Sequence, residues 1–274
     1  MRRWWTLASL LALLVPALAH AHEYWLAPTR YAATAGDTVT IGCWVGTGFR
    51  GEPKPYARSR VTRFELRGPR TIDLRPAAMN GDLDFARFVV ADGGGQLIGY
   101  ETDFTEIELP AADFDRYLAL EGLDGPLAER RKLGAKAGPG RERYARAAKT
   151  WIAGTDAARA TQTVGLALEI VPLADPVATP RLPVRVQFRG QPLAGALVRA
   201  WRTPLRERGR LFDPARRDSV GPAAEARTAK DGTATLDVAG PGEWLIATVH
   251  MVRSSDRKAA DWESRWSSLT FGRP

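Results

Sequence analysis

From Asp37 to about Leu109 the apolar residues recur at every second position, in short runs separated by turn residues. An alternating pattern of this kind puts one set of side chains on each face of a strand, so it commits the segment to β-sheet. In "TVTIGCWVG", Val39, Ile41, Cys43 and Val45 share one face. The segments "RVTRFELRG", "DFARFVVA", "QLIGYET" and "TEIEL" read as further strands. The glycine run "DGGGQ" reads as a hairpin turn between two of them, because no helix follows to make it a phosphate loop.

Between Pro110 and Gly154 the period changes. Phe114, Tyr117, Leu118 and Leu120 make one apolar face in "PAADFDRYLALEGL". Tyr144, Ala148, Trp151 and Ile152 do the same in "RERYARAAKTWIAG", where Glu142 precedes Arg146 by four. Two helices are therefore expected at about 110–154, before a last strand, "TVGLALEIV". Pro172, Pro176, Pro180 and Pro183 then crowd "VPLADPVATPRLP", which reads as a linker. Beyond it "LPVRVQFRG", "GALVRAWRT", "GTATLDV" and "EWLIATVHM" predict a second, smaller sandwich. The expected fold is mainly β. Residues 1–21 form a signal peptide, 22–173 an N-terminal β-sandwich with the helical insertion, 174–183 the linker and 184–274 a C-terminal β-sandwich.

The first 21 residues have a basic start at Arg2 and Arg3, an apolar stretch from Trp4 to Val15, and small residues at a cleavage point. That stretch is shorter than the roughly 20 residues a membrane helix needs, and nothing later approaches it. The expected product is exported, periplasmic and without a membrane span. Cys43 is the only cysteine, so no disulfide within the chain is possible, and it reads as a buried, inert thiol. The net charge of +8 falls by two when Arg2 and Arg3 leave. The arginines are spread along the chain, and the densest group, "RTPLRERGRLFDPARRD" at 202–218, lacks interleaved aromatics. Together with export, this argues against a nucleic-acid partner.

The chemistry concentrates in three histidines. Small residues allow a cut after Ala19 or after Ala21. The first leaves His20-Ala21-His22, whose amine, two backbone nitrogens and third-position imidazole make a square-planar set suited to Cu(II) or Ni(II). The second leaves His22 first, with an amine and a ring that chelate together and call for a second imidazole. His250, in "GEWLIATVHMVR", is the remaining candidate. Asp261 and Glu263, soon after that strand, are candidate oxygen donors, and Trp262 and Trp266 beside them are expected to pack on the sandwich. No G-x-S-x-G elbow or H-E-x-x-H pair occurs, and the carboxylate pairs Asp82/Asp84 and Asp103/Glu106 read as solvated strand faces, so no enzyme is expected.

"HEYWLAP", "FDRYLALEGL", "RERYARAAKTWI", "LALEIVPLADP", "GQPLAGALVRAW", "GEWLIATVHM" and "ADWESRWSSLTF" occur in an order that resembles the bacterial periplasmic family called domain of unknown function 4198. Its members are sometimes labelled cobalt/nickel-transport periplasmic components or nickel-transport M-subunit-like. The resemblance implies a metal role at His22 and His250, and a membrane metal transporter as partner. The second domain also resembles a transthyretin- or collagen-adhesin-B-like module. The functional expectation is a divalent metal-binding protein for Ni, Co or Cu, accessory to uptake or handling. The alternatives are a non-enzymatic sandwich that binds polysaccharide or protein, and a histidine-brace copper oxidase.

Overall fold

A computed structural model of the chain describes residues 23–204 and 221–274. The signal segment, His20, His22 and most of the arginine-rich stretch at 202–218 lie outside the described residues.

The described strands form three sheets. The first contains β1 (Glu23–Pro28), β2 (Thr38–Thr47), β3 (Arg50–Pro53) and β6 (Asp84–Val89). The second, central sheet contains β4 (Val61–Arg67), β5 (Thr71–Asp73), β7 (Gln96–Thr102), β8 (Thr105–Leu109), β9 (Gly140–Ile152), β13 (Leu197–Thr203), β14 (Ala224–Arg227), β16 (Gly242–Arg253) and β17 (Trp262–Arg273). The third contains β10 (Leu168–Pro172), β11 (Arg181–Phe188), β12 (Gln191–Pro192) and β15 (Thr233–Asp237). Helices α1 (Ala111–Leu120) and α2 (Asp124–Leu133) complete a mainly β fold of two sandwiches with a two-helix insertion.

The two sandwiches share the central sheet. Its backbone runs without a break from β14 through β13, β16, β17, β9, β7 and β4 to β5, and among the described strands the parallel pairing of β17 with β9 joins the two halves of the chain. The first sheet and the helices cover one face. There Trp25, Trp44 and Phe49 pack with Trp201, Leu245 and Ala247, while Phe114, Tyr117 and Leu118 pack with Val249, Met251, Trp262 and Trp266. The third sheet covers the opposite face, where Val184, Val186 and Leu236 meet Trp151, Ile246, Leu269 and Phe271.

Several local expectations are corrected. The helix expected in "RERYARAAKTWIAG" is strand β9, and the second helix lies earlier, in α2. β9 is a central strand covered on both faces, with Ala148 and Ile152 in one core and Ala147 and Trp151 in another. Burial on both sides erases the two-residue alternation, and sheet pairing overrides the alanines' helix preference. The proline-rich stretch is not a free linker, since Pro172 and Pro183 stand on paired strands. A proline has no N–H to give but its carbonyl still accepts: Pro183 from the Leu173 N–H at 2.8 Å, Pro180 from that of Val238 at 2.7 Å. The glycine run links β6 of the first sheet to β7 of the second, so it is a sheet-to-sheet connection and not a hairpin. Arg159 holds that connection by gripping both oxygens of Asp92, at 2.8 and 2.9 Å.

Candidate functional site

Strand β1 begins at Glu23, one residue after His22, and brings the start of the described chain onto the helix-covered face of the central sheet. The hydroxyls of Ser268 and Thr270 on β17 donate to the carbonyls of Tyr24 and Leu26, at 2.6 and 2.8 Å. The Glu23 side chain is buried. Its Oε2 accepts the Gly48 N–H at 3.3 Å, and burial pushes the carboxyl up to about 7, with the nearby Glu121 carboxylate adding to the rise and Arg199 opposing it. Gly48 and Phe49 form the two-residue turn between β2 and β3, both with positive φ, at 58° and 64°. The Phe49 ring is fully buried edge-on against Trp25, 5.4 Å between centroids, which offsets its left-handed backbone.

The same face holds a second enclosed carboxyl. Glu142 on β9 accepts from the Tyr117 hydroxyl of α1 at 3.1 Å and from the Ser264 hydroxyl of β17. With hydroxyls as its hydrogen-bond partners, burial pushes it up to about 7. Cys43, by contrast, is inert as expected: it is fully buried, and burial pushes its thiol well above the ordinary value.

His250 projects from the other face. It shares that face with Trp244, Ile246 and Thr248 as its spacing predicts, and its ring meets the Phe188 ring of β11 at 4.7 Å. Burial, and secondarily the charge of Arg189, holds its imidazole below the ordinary range and therefore neutral. Glu263 lies one row further along, buried between guanidiniums. Arg143 donates to its Oε2 at 2.8 Å, and Arg189 and Arg265 approach its Oε1. Asp261 is taken by Arg141, whose Nε and Nη2 reach its two oxygens at 3.1 and 3.0 Å, and this pairing holds its carboxyl below the ordinary range. Trp262 and Trp266 are buried under α1 and α2, as expected of them.

Glu23, on the first sheet, and His250, on the central sheet, thus lie on opposite sides of the central sheet. Asp261 and Glu263 are already neutralised by arginine, and among the described residues no group of three or more His, Cys, Asp or Glu side chains is placed to hold a metal ion. The arginines around His250 form no motif in the sequence. Arg143, Arg189 and Arg265 are far apart in the chain and meet only through the β9–β17 pairing and the β11–β12 turn. The one local sign was "FRGQ", a two-residue turn in which an arginine occupies a place that asparagine or glycine normally fills.

A family model described as "Domain of unknown function (DUF4198)" matches residues 19–252. No curated protein matches the chain. Among solved structures, the D0-D1 domain of intimin is similar at 13% identity over 92% of this chain and 100% of its own, with a TM-score of 0.20, too low to bear on fold or function. Among the described residues, no helix is long and apolar enough to cross a membrane.

Proposed function

Because the chain belongs to the family described as Domain of unknown function (DUF4198), its activity has to be argued from its own residues, and we propose that it is an exported protein whose amino terminus binds a late first-row divalent metal. Cleavage after Ala19 leaves His20-Ala21-His22, which carries four nitrogens in one short segment: the amine, two backbone amides and the His22 imidazole. A square-planar set of this kind favours Cu(II) and Ni(II) over Co(II). The metal is cargo or ward of the protein, and a membrane transporter is the partner that would receive it.

The observation that carries this reading is the position of β1. Three residues precede Glu23 in that mature chain, a tether of at most about 11 Å when fully extended. Glu23 faces the helices, whereas His250 faces the third sheet beside Arg189. A second imidazole from His250 would have to be reached from the wrong side of the sheet, and a cation there would meet arginine. A self-contained amino-terminal set needs neither.

Calorimetric titration of the mature protein with Cu(II) and Ni(II), after mass spectrometry has fixed its first residue, tests the reading. Loss of tight binding in His22→Ala with binding intact in His250→Ala is the expected result. Equal affinity in wild type and His22→Ala removes the proposal.

A further inference from the structure

At the His250 end of the central sheet there are more guanidinium donors than close acceptors. Glu263 Oε2 is well used, with Arg143 Nε at 3.2 Å and Nη2 at 2.8 Å. Its Oε1 receives only long approaches, 3.4 Å from Arg189 and 3.9 Å from Arg265. Arg265 reaches Glu101 Oε1 at 3.5 Å, but that oxygen already accepts the Ala167 N–H at 3.0 Å. Charge-assisted N–H···O bonds settle at about 2.7–2.9 Å, so neither Arg189 nor Arg265 has a close anionic partner. The Nε of Arg265 is buried without a hydrogen-bond partner among the described residues. Asp256, the remaining carboxylate nearby, lies 4.0 Å from Arg143. Aromatic rings complete the walls: Arg265 and Arg143 lie over Phe104 at 4.6 and 4.7 Å, and Arg189 lies over Phe188 at 4.9 Å.

The turn that presents Arg189 is built at a conformational cost. Phe188 pairs with Gln191, leaving Arg189 and Gly190 as a two-residue turn with φ of 51° and 76°. A left-handed backbone is unfavourable for arginine. At the other such turn, Phe49 is compensated by burying its ring completely. The Arg189 side chain is 64% exposed. The turn is held by the Arg189 N–H, which donates to the Ala167 carbonyl at 2.7 Å, and backbone strain that leaves a charged side chain exposed concentrates at binding sites.

We propose that Arg189, Arg265 and His250 form a binding site for an oxyanion, a carboxylate or phosphate carried by a small organic molecule. Arg189 and Arg265 supply donors held only by long hydrogen bonds, together with the unpartnered Arg265 Nε, His250 supplies a ring N–H, and Phe188 and Phe104 flank the ligand's carbon skeleton. The site lies on the face away from β1 and is independent of metal at the amino terminus.

The test follows the His250 imidazole by NMR, its resonances assigned with His250→Gln, during titration with inorganic phosphate and with glucuronate at constant ionic strength in chloride. A saturable shift with either probe is expected, together with a rise in the His250 pKa, since a bound anion favours imidazolium. Saturation by phosphate alone or by glucuronate alone identifies the ligand class. Arg189→Asn keeps a residue suited to the turn and is expected to weaken binding about tenfold or more, the usual loss for one charge-assisted hydrogen bond. Arg253→Ala, on the opposite face, is expected to leave it unchanged. Linear shifts with both probes, or equal affinity in wild type and Arg189→Asn, overturn the proposal.

Discussion

Glu142 and Glu169 are both enclosed, at 3% and 2% exposure, yet they lie on opposite sides of the central sheet and are held in opposite ways. Glu142, on the helix side, has the hydroxyls of Tyr117 and Ser264 for partners. Glu169, on the other side, takes Lys149 Nζ at 2.8 Å and the N–H groups of Val164, Gly165 and Leu166 at 2.8 to 3.2 Å. Glu263 repeats the second pattern with arginine. A buried carboxyl beside neutral donors is stable with its proton, whereas one beside a cation and converging N–H groups is stable without it. The difference between these carboxyls is therefore one of local charge: Glu142 sits among hydroxyls and aromatic rings, whereas Glu169 and Glu263 are each held by a cation.

The sharpest way to break this contrast is at the two turns with left-handed residues. Phe49→Ala removes a fully buried ring from Trp25, at a cost of about 3–5 kcal/mol, while keeping the strained backbone. Urea unfolding followed by tryptophan fluorescence measures it. A loss under 1 kcal/mol would mean that the ring does not compensate the turn, and the reasoning that singles out Arg189 would fall with it.

Glu142→Gln probes the charge difference itself. The ordinary glutamate value is 4.5 and the folded one about 7, so the native state holds the proton more tightly than the unfolded chain across that window. The carboxyl's stabilisation is complete below about pH 4.5, declines as pH rises, and is gone above about pH 7. At pH 8 the wild type therefore lacks about 3 kcal/mol that it has in acid. Glutamine can still accept from Tyr117 and Ser264 and cannot ionise. Expected is a variant more stable than wild type at pH 8, with the advantage shrinking toward pH 5, as urea midpoints at the two values would record. An identical pH dependence in both proteins would mean that burial does not raise the Glu142 carboxyl.

How far the residues alone disclose this architecture depends on how many faces each strand buries. β11 alternates cleanly and is readable, β2 alternates only as far as Ile41 before both its faces are buried, and α1 declares itself through Phe114, Tyr117 and Leu118. β9 is packed on both faces and mimics a helix. α2 buries only Leu127 and Arg130, too little for a visible stripe. The amino-terminal nitrogen set is local in sequence and could be read there. The arginine cluster could not, because Arg143 and Glu263 are brought together by a parallel pairing across 120 residues. Asp261 and Glu263 looked free for a metal only while their arginines were unseen.

The smallest expected effect has the opposite sign. Arg189→Gly places at φ 51° the residue that adopts it without strain. The loss is confined to its place over the half-buried Phe188 ring, a weak contact for so exposed a side chain, and its 3.4 Å approach to Glu263 is long for an ion pair, worth little beside the 2.8 Å bond from Arg143. The variant is expected to gain up to about 1 kcal/mol in stability, less whatever the added chain freedom of glycine removes from the unfolded side. Arg189→Asn, which tolerates the left-handed region but keeps a side chain, separates those two effects. Added stability together with lost oxyanion binding would identify Arg189 as a residue kept at the expense of the fold. A loss of stability in both variants would instead make it part of the ion-pair network, with the same structural role as Arg143.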